Sequence, residues 1–69
     1  MSRLAQLRAA LERSRDRVGY CQRQLDDYAR TADLSTEPAQ RTHRKLAADL
    51  QRAIDDARWI EKQLDDLMD

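Results

Sequence analysis

The sequence is poor in the residues that build turns, sheets and covalent cross-links. Its 69 residues include one glycine, one proline, one cysteine, one tryptophan, two tyrosines and no phenylalanine. One cysteine excludes an intramolecular disulfide, and one glycine excludes a glycine-rich phosphate-binding loop. So few aromatic residues argue against a β-sheet, whereas abundant Ala, Leu, Arg and Gln favour helix. The composition therefore predicts an all-α chain, and its length predicts one small domain.

The sequence also lacks a net charge and a long apolar run. Its formal charge is zero, so bulk electrostatics favour neither nucleic acid nor an anionic membrane as a partner. No apolar stretch approaches the roughly 18 residues of a membrane span. The first eleven residues alternate arginine with leucine and lack the apolar core of a signal peptide. We expect a cytoplasmic protein that has no membrane partner.

What the sequence does contain is two stretches of apolar residues spaced by three and four, the pattern of a coiled-coil seam. The first stretch consists of Leu4, Leu7, Leu11, Ser14, Val18, Cys21, Leu25 and Tyr28, with Ala32 next in step. The second stretch consists of Leu46, Leu50, Ala53, Ala57, Ile60, Leu64 and Leu67. The two seams predict two helices that face each other.

Local signals place the ends of these helices. Ser2 is a suitable N-cap for helix 1, which we expect from about 2 to 31 and which contains Gly19 at a cost of roughly 1 kcal/mol relative to Ala. A break at about 32–36 precedes helix 2, expected from about 37 to 67. Ser35 and Thr36 offer a capping hydroxyl there, followed by an acid and by Pro38. Such a short connection predicts one antiparallel hairpin over residues 1–69.

The antiparallel arrangement places the two apolar seams in contact and places basic residues of one helix beside acidic residues of the other. Leu7 then lies opposite Leu64, and Leu11 lies opposite Ile60. The arginine-rich beginning of helix 1 lies beside the acidic end of helix 2, an arrangement that the helix dipoles alone would disfavour. Three flanking pairs are predicted to cross the hairpin: Arg8 with Glu61, Arg17 with Asp56, and Gln24 with Asp49.

Two helices with this seam would bury little, because the middle of the seam is made of small residues. We therefore expect the hairpin to complete its core by dimerising into a four-helix bundle or by binding a partner helix. The first broad face offers small or apolar residues for such contact: Ala5, Gly19, Ala29, Ala47, Ile54 and Met68. The opposite broad face carries Tyr20 and Trp59 among charged residues, and aromatic residues are enriched at interfaces. The alternative is that no specific second interface exists.

Catalytic, cofactor-binding and metal-binding residues are not indicated. The Asp pairs at 26/27, 55/56 and 65/66 are consecutive, so their side chains diverge by about 100° on a helix. Cys21 is interpreted as a small buried hydrophobe, with an intermolecular disulfide as the alternative. His43 is predicted to pack near Tyr28 at the hairpin tip, with a pH switch as the alternative. We expect neither an enzyme nor a small-molecule binder, and we predict that proteins are the partners.

Binding to RNA or DNA as a dimer is the alternative function. Six arginines lie between Arg3 and Arg23, and arginine on a helical hairpin is able to contact phosphates. These arginines are spread around the helix, however, and the acids opposite them neutralise much of their field. Steeply salt-dependent binding would distinguish this function from protein binding.

The beginning and the seam of helix 2 resemble those of the small two-helix co-chaperones of type III secretion systems. The matching features are a chain near 70 residues, a short turn, Pro38-Ala39-Gln40, and Ala53-Ile54 followed by Ala57, Ile60 and Leu64. The resemblance covers helix 2 only, and helix 1 is richer in arginine than that family leads us to expect. The resemblance implies that the hairpin covers an aggregation-prone helical subunit before its export.

Overall fold

The protein is an antiparallel helical hairpin. The computed structural model describes residues 2–68, and these form α1 (Arg3–Thr31, 29 residues) and α2 (Glu37–Met68, 32 residues) without a strand. The two helices pack along their length into a rod of 49 × 15 × 14 Å. The all-α hairpin predicted from the seam spacing is confirmed.

Both ends of α1 are closed by local hydrogen bonds. The Ser2 hydroxyl accepts a hydrogen bond from the backbone N–H of Ala5 at 3.1 Å, which confirms Ser2 as the N-cap. At the other end, Ala32 turns into extended backbone and its N–H donates to the Tyr28 carbonyl at 2.9 Å. The helix is continuous through Gly19, whose φ is negative.

The turn is organised by Asp33, a residue that the sequence analysis did not single out. Its Oδ1 accepts hydrogen bonds from the backbone N–H of Ser35 at 3.0 Å and from the Ser35 hydroxyl at 2.5 Å. The Thr36 hydroxyl donates to the Asp33 carbonyl at 3.0 Å. The predicted capping hydroxyl at the start of α2 is wrong, because within residues 2–68 neither the Ser35 nor the Thr36 hydroxyl accepts a hydrogen bond from an N–H of α2.

These hydrogen bonds favour the ionised form of the exposed Asp33 carboxyl. They lower its pKa below the usual 3.8, the Ser35 hydroxyl contributing most and the Ser35 backbone next. A lowered pKa in the folded state stabilises the fold at pH values above 3.8, and this contribution is lost as the pH falls through the lowered value. We expect Asp33→Ala to lower the melting temperature at pH 7. The difference from wild type should shrink steadily below pH 3.8 in thermal melts followed by circular dichroism.

The matched control is Asp16→Ala, because the Asp16 side chain is also exposed but forms no hydrogen bond or ion pair within residues 2–68. Its melting temperature relative to wild type should show no comparable loss at pH 7. A constant difference between Asp33→Ala and wild type from pH 7 to pH 2 would contradict the assigned role of the carboxylate.

The core of the hairpin is thin. Within residues 2–68 the buried side chains are three leucines and three alanines: Leu11, Ala39, Leu50, Ala53, Ala57 and Leu64. Leu11, Ala57 and Leu64 form one cluster, and Leu4, Leu7, Val18 and Ile60 pack against it. This cluster agrees with the predicted register, which sets Leu11 opposite Ile60. Leu67 was predicted as the last seam residue but is 48% exposed, because it lies in the final turn of α2, where the hairpin ends.

The predicted polar pairs across the hairpin are wrong in detail. Glu61 pairs with Arg15 at 3.4 Å instead of with Arg8. Arg15 lies one heptad beyond Arg8, so the prediction found the correct flank of α1 but was displaced along it by seven residues. Within residues 2–68 no ion pair joins Arg17 to Asp56. The Gln24 amide donates to the Tyr20 hydroxyl at 2.7 Å instead of bonding to Asp49.

Candidate partner-binding face

One broad face of the hairpin contains two open apolar depressions, each of about 270 Å³. We call it the Ile54 face, and its small and apolar residues are Ala5, Gly19, Ala29, Ala47, Ile54 and Met68. The first depression is lined by Val18, Ile54, Ala57, Arg15, Arg58 and Glu61. The second is lined by Leu11, Leu64, Met68, Arg15, Glu61 and Asp65. Because Arg15 and Glu61 belong to both, their ion pair lies between the two depressions.

The floor of both depressions is the seam itself. A pair of helices covers a seam mainly along the line where the helices meet, so Val18 stays partly exposed at the side, while Leu11 and Leu64 are buried beneath the depressions that they line. From the sequence these residues were predicted only as core, and their position at the depressions was not predicted. A usable signal was present, because the flanking positions of α2 beside them are Ile54 and Met68, which extend the apolar surface outwards.

The candidate residues of the Ile54 face differ in exposure. Met68 is 67% exposed. Ala5 and Ala29 are exposed, whereas Gly19, Ala47 and Ile54 are partly buried. Ile54 and Met68 line the two depressions, so the structure brings these two candidates to one surface, on either side of the Arg15–Glu61 pair.

Tyr20 and Trp59 are placed differently. Trp59 is 61% exposed and Tyr20 is 55% exposed, and the Tyr20 hydroxyl is occupied by the Gln24 amide. A third depression, nearer the turn, is lined by Gln24, Asp27, Tyr28, Thr31 and Leu46. Neither Tyr20 nor Trp59 contributes to it. The two aromatic candidates are therefore exposed rings that do not line this depression.

The chemistry available on the hairpin is apolar contact and exposed charge. Between residues 2 and 68 no polar or charged side chain is buried, and no three His, Cys, Asp or Glu side chains are grouped as a metal site requires. Cys21 is a partly buried free thiol, and His43 is partly buried. Over the same residues, neither helix combines the length and apolar character that crossing a bilayer requires.

Comparisons with known protein families, with characterised proteins and with solved structures give no match to this chain.

Proposed function

We propose that the hairpin is a non-enzymatic protein–protein interaction module that receives a helix on its Ile54 face. The observation that carries this proposal is the pair of apolar depressions on one face, with Leu11, Val18 and Leu64 at their floor and Ile54 and Met68 at their sides. An apolar stripe of one helix packs into such a surface through residues spaced by three and four.

The thin core supports the same proposal. Three of the six buried residues are alanines, and Val18, Leu25, Leu46 and Ile60 are only partly buried. Burial of apolar area stabilises by about 25 cal/mol per Å², so a further helix over this face would add stability that two helices alone do not reach. A core-facing helix in a bundle uses a wider stripe than a two-stranded seam, and Ala47, Ile54 and Met68 give α2 that wider stripe.

In this proposal, exposed charges such as the Arg15–Glu61 pair determine how the partner helix is oriented on the hairpin more than how tightly it binds. The Arg15–Glu61 pair has side chains 65% and 49% exposed, and exposed pairs contribute only about 0–1 kcal/mol. If the partner is an export substrate, as the co-chaperone resemblance implies, the same face covers it. If the chain instead binds RNA or DNA, binding to generic nucleic acid will fall steeply with salt.

The test is the solution mass of the wild-type chain, measured by light scattering over a wide range of protein concentration. We expect a helical assembly heavier than the 8.1 kDa chain and a melting temperature that rises with concentration, because association stabilises the folded state by mass action. A chain that stays at 8.1 kDa with a concentration-independent melting temperature would contradict self-association. If no added helical partner raised its melting temperature either, the proposed function would fail.

A further inference from the structure

We propose that the helix pair received by the Ile54 face is a second copy of this chain, and that the two copies are related by a two-fold axis parallel to the long axis of the hairpin. In this arrangement α1 of each copy packs antiparallel against α2 of the other. The result is a four-helix bundle in which both turns lie at the same end. The inference rests on the proposed function and specifies its partner and geometry.

Symmetry fixes the register of this bundle. Rotation about an axis along the rod leaves every residue at its own level, so α1 faces on the partner the same level of α2 that it faces in its own chain. That level is set by the core cluster, where Leu11 packs with Ala57 and Leu64. When the two Ile54 faces meet at this level, four residues of α1 lie opposite four residues of the partner's α2. The pairs are Gly19 with Ile54, Ala5 with Met68, Arg8 with Asp65, and Gln22 with Gln51.

The presence of a glycine at position 19 is accounted for by the contact between copies, because nothing within the single hairpin requires a glycine there. A Cβ atom built on Gly19 would meet only the Arg23 guanidinium, at 3.6 Å, which is an ordinary contact distance. Its φ is negative, so alanine would fit there and would favour the helix by about 1 kcal/mol. In the bundle, the missing side chain leaves room for the partner's Ile54, the largest apolar residue at that level of the face.

One pair of opposite charges at the open end of the hairpin, Arg8 and the partner's Asp65, supports the same orientation. Within residues 2–68 neither Arg8 nor Asp65 forms an ion pair in the hairpin, whereas Arg15 and Glu61 neutralise each other. The bundle sets Arg8 against the partner's Asp65, and two-fold symmetry repeats the pair. In the same register Arg15 faces the partner's Arg58 and Glu12 faces the partner's Glu61, and these four charges sum to zero. An axis perpendicular to the rod would separate Arg8 from the partner's Asp65, because the open end of each hairpin would then face the turn of the other.

The first test uses two charge reversals, Arg8→Asp and Asp65→Arg, and their equimolar mixture. Each variant alone places like charges together twice in its homodimer, so we expect each to dimerise about tenfold more weakly than wild type. In a heterodimer of the two variants every such pair has opposite charges. The mixture should therefore recover wild-type affinity by light scattering and show the heterodimer in native mass spectrometry.

The mixture also separates contacts between chains from contacts within one chain, because mixing cannot repair a pair inside a single chain. Two weakened homodimers without recovery on mixing would overturn the proposed arrangement. If wild type nevertheless remained a multimer, the proposed function would stand. A wild-type chain that is monomeric throughout would overturn the inference, and added helical partners would then test the proposed function by itself.

The second test is Gly19→Leu, with Ala9→Leu as the matched control. Leucine favours helix more than glycine does, so the hairpin should keep or gain helicity while dimerisation weakens at least about tenfold. Ala9 is exposed on the same helix and lies outside the Ile54 face, so Ala9→Leu should dimerise like wild type. Equal dimerisation of Gly19→Leu and Ala9→Leu would overturn the close approach of Ile54 to Gly19.

Discussion

Replacing Ala53 with aspartate will unfold the hairpin at room temperature. Ala53 is 1% exposed, the lowest exposure named among the core residues, and it lies in the middle of the α2 seam. A carboxylate there loses its hydration and finds no cation, because no charged side chain is buried within residues 2–68. We expect a loss of at least about 3 kcal/mol, and small domains have only a few kcal/mol of stability to lose. Far-UV circular dichroism and urea titration measure it.

Ala48→Asp is the matched control, because it makes the same change on the same helix at an exposed position. It alters charge and helix propensity as Ala53→Asp does, so it should lose only the propensity difference, less than about 1 kcal/mol, and its urea midpoint should fall far less than that of Ala53→Asp. Similar unfolding of the two variants would show that Ala53 is not the centre of the core and that helix propensity dominates the stability of α2.

The hairpin was predictable because its determinants are periodic and local. A seam with steps of three and four allows one arrangement of two helices joined by a short turn, and Ser2 is adjacent to the first seam residues. Asp33 was not predictable in the same way. An aspartate beside Ser35 and Thr36 suits either a turn or a helix cap, and only the three-dimensional course of the backbone shows that both hydroxyls donate to it.

The Arg15–Glu61 pair shows where sequence reasoning loses precision. Arg8 and Arg15 occupy equivalent positions one heptad apart, and both side chains are long enough to reach acids of α2. Exposed ion pairs differ by fractions of a kcal/mol, so spacing alone does not choose between them. That the small and apolar residues at the flanking positions share one broad face follows from their spacing alone, and their role in binding stays a prediction. The two depressions of that face were not predictable, because they depend on how the side chains of Val18, Ile54 and Met68 are arranged beside the seam.

Replacing Ile54 with aspartate will separate association from folding. Ile54 is partly buried and lines a depression on the outside of the seam, so a charge there remains hydrated in the isolated hairpin. In an assembly the same charge would lie against apolar surface and lose its hydration. We expect the helical ellipticity to persist while light scattering at fixed concentration shows association weakened at least about tenfold.

Ile60→Asp is the matched control, because it shows what the same substitution does at a position in the core of the hairpin. It makes the same substitution on the same helix, two turns from Ile54 in sequence, but Ile60 packs against the core cluster of Leu11, Ala57 and Leu64. Ile60→Asp should therefore lose helicity and association together. If Ile54→Asp also lost both in parallel, Ile54 would belong to the core of the hairpin, and the Ile54 face would have no role in binding that is separate from folding.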